Sequence, residues 1–569
     1  MKNTIILSLI ALCFAVNTFA QRAPRPPRPQ STAREDSLDP SPLNAAVDPV
    51  VDMFINDWRN SAPRPMYGQL IFRDMLTKLE GPDPQHPTKK GAVLTDITAI
   101  SYASLEVGQI ASGRSQKGER QTFYTFGGTG KLASNGKTFS IRDGSGFVLT
   151  PDFDFTLTST GPDPLIFFVR TEPVLTDAKP DPNMFVMNRF DNNNDRGIGA
   201  HWVMSGNGGP PGMSVITMLP RVFPQPHSHA GEECWLAVKG ETILSLGKTI
   251  RRMTSGQAYK IPPTGLAAHS NINLGDEPVQ LIFMGPAARP AGNGQQAAAQ
   301  PAQQGTDFAR LDNQPYDRAT NPAIDMFMGN WRESFPRFMH GTISVHDMLT
   351  SLEGPDSLHP TRKGAVLTNA EAVSYGILEP GTTAHRVDGQ LKGIQQTFIV
   401  NGGTGVIASG AKKFDLVKDM AFVITPSMDF RLTASGDKYM TFYIITEKLP
   451  AGFTPKTSLE VVDSRGKSQV ASAWHNLERP LITQEGGLSQ YKSINSVELK
   501  AMTMSEPYSD KAGVEEVWIA TDNDIDMVMG KELRKLPAGT AYVVPATGIT
   551  AHANLNSTDK PAHFLYMVK

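Results

Sequence analysis

Cysteine occurs only twice in 569 residues, at Cys13 and Cys234. Cys13 lies in an apolar N-terminal run, so once that run is removed no intramolecular disulfide is possible, and stability has to come from packed cores, metal or assembly. An excess of charge of one sign is also missing. With 54 basic and 56 acidic residues the formal net charge is -2, which gives no electrostatic footprint for nucleic acid or an anionic membrane. A small molecule is the expected partner. The chain also lacks a bilayer-spanning run at its start, because the apolar stretch from Ile5 to Val16 is shorter than the roughly 20 residues a membrane helix needs. Lys2 before it and Thr18, Phe19 and Ala20 after it form the pattern of an export signal cleaved after Ala20. The mature protein is therefore expected in the periplasm or the medium, with no membrane attachment.

Glycine (50) and proline (43) are plentiful and favour many turns over long helices. The length exceeds what one hydrophobic core supports, which predicts several domains. Residues 22–45 and 287–308 have too little apolar content to fold and read as a leader and a linker. The second tract separates two copies of one text. DMFINDWRNSAPRPMYG (52–68) recurs as DMFMGNWRESFPRFMHG (325–341), and LEGPDPQHPTKKGAVLT (79–95) as LEGPDSLHPTRKGAVLT (352–368), with roughly 28 of 45 positions identical from Val51 and Ile324 onward. Each copy continues in short alternating segments such as QTFYTFGGTG and GFVLTPDFDFTLT, the signature of strands in a sandwich or barrel. One short helix is expected at the head of each copy: Asp48 and Pro49 precede the pattern Val51, Phe54, Ile55, Trp58, and Asn321 and Pro322 play the same part in the second.

The chemistry concentrates in PHSHAGEECWLAVKG (226–240) and PPTGLAAHSNIN (262–273). On a strand, alternate side chains share a face, so His227 and His229 point the same way and Glu233 can join them across a bend. A fourth ligand from a distant strand would close the set. Imidazoles with a carboxylate suit one divalent transition metal, Fe, Mn, Cu, Ni or Zn, with room for water, oxygen or a chelating substrate.

His227, His229, Glu233 and Gly240 resemble the first signature of the cupin superfamily, apart from the glycine missing at its opening position, and Gly256, Pro262, Gly265, His269 and Asn273 resemble the second with two slightly longer gaps. The resemblance implies an all-β fold of double-stranded β-helix (jelly-roll) barrels, with His227, His229, Glu233 and His269 holding the metal inside one of them. With the export signal, the duplication and the strand pattern, the division is four barrels in two duplicated pairs: a signal peptide (1–20), a leader (21–45), a degenerate barrel (46–178), a metal-binding barrel (179–286), a linker (287–316), a second degenerate barrel (317–455) and a barrel with an incomplete ligand set (456–569). In this last one Tyr508, Asp510, Glu516 and His552 stand where His227, His229, Glu233 and His269 do. In the degenerate barrels the glutamate position falls on Gln121 and Gln396, and the histidine positions on Ser115 and Lys117 or Gln390 and Lys392, with His385 nearby.

Several further residues invite a role. His86 with His359, and Trp58–Arg59 with Trp331–Arg332, recur in both copies, which points either to a ligand contact or, as the commoner case, to packing of helix and loop against the barrel. Glu232 is a candidate proton carrier by proximity alone, and alternation points it away from Glu233. Cys234 is expected to be a buried thiol. Two functions stay open: a metal-dependent dioxygenase, decarboxylase, isomerase or lyase acting on a small oxygenated or carbohydrate-like molecule, and a sugar- or ligand-binding scaffold that catalyses nothing. Barrels of this kind commonly pair edge to edge, which leaves a homo-oligomer open, but the sequence does not fix the oligomeric state.

Overall fold

Among the described residues, alternating apolar and polar residues punctuated by glycine form mostly antiparallel sheets. The computed structural model describes residues 49–174, 186–190, 196–197, 202–204, 213–224, 231–247, 249–262, 269–285, 323–508, 510–530, 532–546 and 550–569, which belong to a single compact unit. His227 and His229, the signal, the leader and the linker lie outside them. Among the described residues no helix is long and apolar enough to cross a membrane.

The first sheet pair of the chain consists of an eight-stranded sheet, centred on Leu165–Pro173 and Glu119–Gly127, and a four-stranded sheet that includes Gly130–Ser134 and Asp154–Ser159. Phe72, Phe123, Phe147 and Phe167 fill the space between them. The second pair has a seven-stranded sheet containing Cys234–Lys239 and a three-stranded sheet, Glu241–Leu246, Thr249–Thr254 and His269–Ile272. Its core is built on Trp235, Leu244, Met253 and Tyr259. The second half of the chain repeats both arrangements, with a four-stranded sheet in place of the three-stranded one. Burying a large apolar side chain contributes about 1.5–3 kcal/mol, so these cores dominate stability.

The expected helices form but are shorter than their apolar pattern suggests. The first covers Pro49–Met53 and the second Ala323–Met326. Ile55 and Trp58 are not helical because Ile55–Asp57 is drawn into a ladder with Gln257–Lys260, after which Asp57 caps a 3₁₀ turn, Trp58–Asn60. A sheet ladder with a distant strand outweighs local helical periodicity here.

That ladder also crosses the expected domain boundaries. Ile55–Asp57, from the first segment, is an edge strand of the second pair's sheet, whereas Val186–Asn188, from the second segment, pairs with Ser145–Leu149 of the first pair. The second half repeats the exchange. Met328–Asn330 joins Thr540–Val544, and Val461–Asp463 joins Met420–Ile424. Trp58 completes the joint by stacking on Tyr102 at 4.2 Å and packing against Gly256. Gly256 has φ +94°, and a Cβ there would lie 2.5 Å from the Trp58 indole nitrogen, so this position of the second motif is glycine for both reasons.

The two halves meet through their second sheet pairs. Phe223, Ile243, Ile250 and Ile272 share one core with Met504, Val528, Leu533 and Leu555. Val222 bridges to Glu532, and Arg221 reaches Asp526 at 3.4 Å. Burial raises the Asp526 pKa from 3.8 to about 6, against the pull of Arg221 and Lys535 and with a small push from Asp524. Because the folded value lies above the unfolded one, ionising Asp526 opposes folding. The penalty is absent below about pH 4, grows as pH rises and is complete above about pH 6, with an upper bound near 3 kcal/mol for two units. Lowering the pH from 7 to 5 is expected to raise the melting temperature of wild type more than that of Asp526→Asn. Parallel melting curves in calorimetry would remove Asp526 from this account.

A buried carboxylate and imidazole as a candidate metal centre

Glu233 immediately precedes the strand Cys234–Lys239, and its carbonyl accepts from the Ile261 N–H at 2.9 Å, which fixes its place at the sheet end. His269 opens the strand His269–Ile272 in the opposing sheet, where it pairs with Leu246. The two side chains meet between the sheets. Glu233 Oε1 lies 3.0 Å from His269 Nε2, and His269 is 1% exposed. The Trp235 indole N–H donates to the same Oε1 at 2.5 Å. Trp235 shares a face with Glu233 because the two are separated by one residue on the strand. Tyr259 donates its hydroxyl to Asn271 Oδ1 at 2.9 Å, and burial, then the Glu233 charge, pushes its pKa well up. Tyr259 therefore stays neutral beside the carboxylate.

This pair fits a cation as the resemblance implies. Two donor atoms each about 2.1 Å from one ion and at right angles stand about 3.0 Å apart, the separation of Glu233 Oε1 and His269 Nε2. Among the described residues no group of three or more His, Cys, Asp or Glu side chains is placed to hold a metal. His227 and His229, which would complete the set, lie outside them.

Other residues of the two motifs shape the frame. Asn273 closes the end of the barrel wall, donating to Leu219 O and Glu277 O at 2.9 Å and accepting from the Gly275 N–H at 2.9 Å. Gly240, with φ +84°, has Val279 Cγ1 2.5 Å from where its Cβ would be. Cys234 faces the opposite side from Glu233, in the core between the first and second sheet pairs, and burial raises its pKa well above the ordinary value. That thiol is no nucleophile.

The Glu232 carboxylate does not face the site. It accepts from the Thr95 N–H at 2.9 Å, Thr95 Oγ1 at 2.6 Å and the Asp96 N–H at 2.6 Å, with Lys260 Nζ 3.9 Å away. Proximity to Glu233 in sequence therefore says nothing of proton transfer: Glu232 ties the second sheet pair to the first. Glu515 does the same in the second half, accepting from Thr368 Oγ1 at 2.7 Å and Tyr491 Oη at 2.6 Å.

The corresponding site in the last sheet pair keeps half of this geometry. His552 Nε2 lies 3.0 Å from Glu516 Oε1, and the Trp518 N–H donates to that oxygen at 2.7 Å. Tyr508 stands where the first histidine would, and its hydroxyl donates to the same Oε1 at 2.6 Å. Burial alone would raise the Glu516 pKa, yet His552, Tyr508 and Trp518 hold it below the ordinary value. Asp510 behaves oppositely: burial first, then the Glu516 charge, raises its pKa. Glu516 is thus held by Tyr508 and Trp518, with His552 Nε2 3.0 Å from the same oxygen and Asp510 nearby. Among the described residues they form no group of three or more His, Cys, Asp or Glu side chains placed to hold a metal.

The first and third sheet pairs bury Gln121 and Gln396 instead of glutamate. Tyr67 donates its hydroxyl to Gln121 Oε1 at 2.7 Å, and His340 Nε2 lies 2.7 Å from Gln396 Oε1. Burial pushes Tyr67 up to about 12 and lowers His340. His340 was not singled out by the motif spacing. Its signal is its place one residue before Gly341, matching Tyr67 before Gly68. Ser115 is buried and bonded to Thr150 O, whereas His385 is exposed. His86 and His359 are solvent-facing and pair with Asp83 and Asp356 in their own loops.

Residues 214–285 match the cupin domain family. No curated protein matches this chain. Among solved structures the chain is similar to vicilin from Corylus avellana (hazelnut), with a TM-score of 0.34 and 10% identity over 43% of this chain and 85% of that one. It is likewise similar to oxalate decarboxylase from Bacillus subtilis, described for its Mn(II) centres (TM-score 0.32, 11% identity, 42% and 78%), and to AerE from Microcystis aeruginosa (TM-score 0.32, 12% identity, 41% and 99%).

Proposed function

From the match of residues 214–285 to the cupin domain family we propose that the chain is an exported metal-dependent enzyme whose centre is His227, His229, Glu233 and His269. The observation that carries this reading is the buried 3.0 Å approach of Glu233 Oε1 to His269 Nε2 between opposing sheets. A bound divalent transition metal would supply a Lewis acid that polarises a carbonyl or hydroxyl of a small oxygenated or carbohydrate-like substrate. The residues around it have separate tasks. Trp235 holds one oxygen of Glu233 and so sets the direction of the carboxylate. Neutral Tyr259, fixed by Asn271, lines the apolar side without adding charge. Trp235 and Phe283, ring centroids 5.2 Å apart, help to keep water from the pair.

Glu516 and His552 favour a second reading, because a carboxylate, imidazole and indole in the same geometry persist beside Tyr508 instead of a histidine. In that reading the arrangement serves the fold and the protein binds a sugar or other ligand without turnover. Metal analysis of purified mature protein separates the two. The enzyme reading expects about one first-row metal per chain and an open coordination position reported by azide or nitric oxide. A metal-free protein that still binds ligand would establish the scaffold.

A further inference from the structure

The third and fourth sheet pairs enclose a cavity of about 240 Å³ at their joint, remote in sequence from the candidate metal centre. Its wall combines Asn401, the turn residues Lys418 and Asp419, Tyr443, Arg479, Glu498 and other groups from both sheet pairs. That volume is the share of roughly eight waters, enough for a small organic molecule.

The wall carries several charged and polar side chains, and not all of their donors are matched. Arg479 spends Nη2 on Asp419 Oδ2 at 2.9 Å, but its Nε is buried with no acceptor. A buried guanidinium donor without a partner costs stability unless something occupies it. Lys418 is exposed at the cavity edge, with its charge near those of Asp522 and His563. His563 is engaged on the other side, with Nδ1 2.5 Å from Asp522 Oδ2 and Nε2 3.7 Å from Glu498 Oε2. The acceptors Asp419 and Glu498 stand beside these donors. Among the described residues, the first half of the chain carries a different pair at the Lys418–Asp419 turn. The Asp419 N–H bonds to Val400 O as the Gly144 N–H bonds to Thr125 O, so Asp143 and Gly144 occupy the places of Lys418 and Asp419. The lysine is particular to this copy.

We propose that this cavity binds a small hydroxylated carboxylate, with Arg479 and Lys418 receiving the carboxylate and Asp419 and Glu498 accepting hydrogen bonds from its hydroxyls. A planar carboxylate matches a guanidinium edge and a single ammonium. The two acidic side chains select against phosphate, whose extra charge they repel, and favour hydroxyl donors. The site is separate from the metal centre and does not depend on the enzyme reading.

The test titrates full-length protein with glycerate and gluconate by calorimetry at low salt, against erythritol and inorganic phosphate. At least one acid is expected to bind, with Lys418→Gln weakening it tenfold or more and Glu498→Gln weakening gluconate in particular. Both variants change partly exposed side chains, and unaltered circular dichroism and melting would show that they fold. The same titration in His269→Ala is expected to be unchanged. The proposal is overturned by an absence of heat with both acids, by erythritol or phosphate binding as tightly as the acids, by indifference to Lys418→Gln, or by loss of binding in His269→Ala, which would move the ligand to the metal centre.

Discussion

His269→Ala is expected to bring the metal content of the purified protein from about one ion per chain to near zero, an affinity loss of at least about a hundredfold. The side chain is 1% exposed and its Nε2 faces Glu233 Oε1, so the substitution removes a buried donor nitrogen from the centre. Glu233→Gln is the cleaner companion, since the amide oxygen can still accept from the Trp235 N–H while the charge that a cation needs is gone. His552→Ala is the control, because it has the same 3.0 Å approach to a carboxylate in a cluster closed by Tyr508. Elemental analysis of the three variants decides. Metal lost with His552 and retained without His269 would place the centre in the wrong half of the chain.

Glu232→Ala is expected to destabilise the protein by about 3–5 kcal/mol, the cost of removing one member of a buried charged cluster and leaving the others unpaired. The orphaned groups are the N–H donors of Thr95 and Asp96, the Thr95 hydroxyl and the fully buried Lys260. Lys260 retains a bond to Val93 O at 2.6 Å, which limits the damage. Glu232→Gln preserves an acceptor and should lose less. Urea unfolding measures both, and the glutamine variant is expected to retain its metal and whatever turnover the wild type shows. A proton-carrying Glu232 would give the opposite result, full stability with activity lost.

The duplication, the all-β class and the two short helix starts were legible because they rest on local signals: repeated text, period-two alternation, and proline at a helix start. The convergence of Glu233 and His269 was legible through a family pattern, since no local rule says that residues 36 apart meet across two sheets. The role of Glu232 was not legible. Alternation turns it away from Glu233, but what it meets, the N–H groups of Thr95 and Asp96, is set by how two sheet pairs dock. The helix end at Met53 was missed for the same reason: Val51, Phe54, Ile55 and Trp58 keep helical spacing, yet the ladder to Gln257–Lys260 forms only in three dimensions. His340 escaped because a histidine beside Gln396 belongs to no metal pattern and replaces Tyr67 in a neutral hydrogen bond.

The reciprocal trade of edge strands has a bearing on how such a chain can be inherited. A gene fragment encoding only the second sheet pair would lack Ile55–Asp57 and leave the strand Gln257–Lys260 as a bare margin, the kind of surface that recruits foreign strands. A fragment encoding only the first would lack Val186–Asn188. Neither is a self-sufficient heritable module. The smallest segment that copies without fraying is the pair, and the chain bears this out in its repeat, where Met328–Asn330 and Val461–Asp463 are carried along with the sheets they complete.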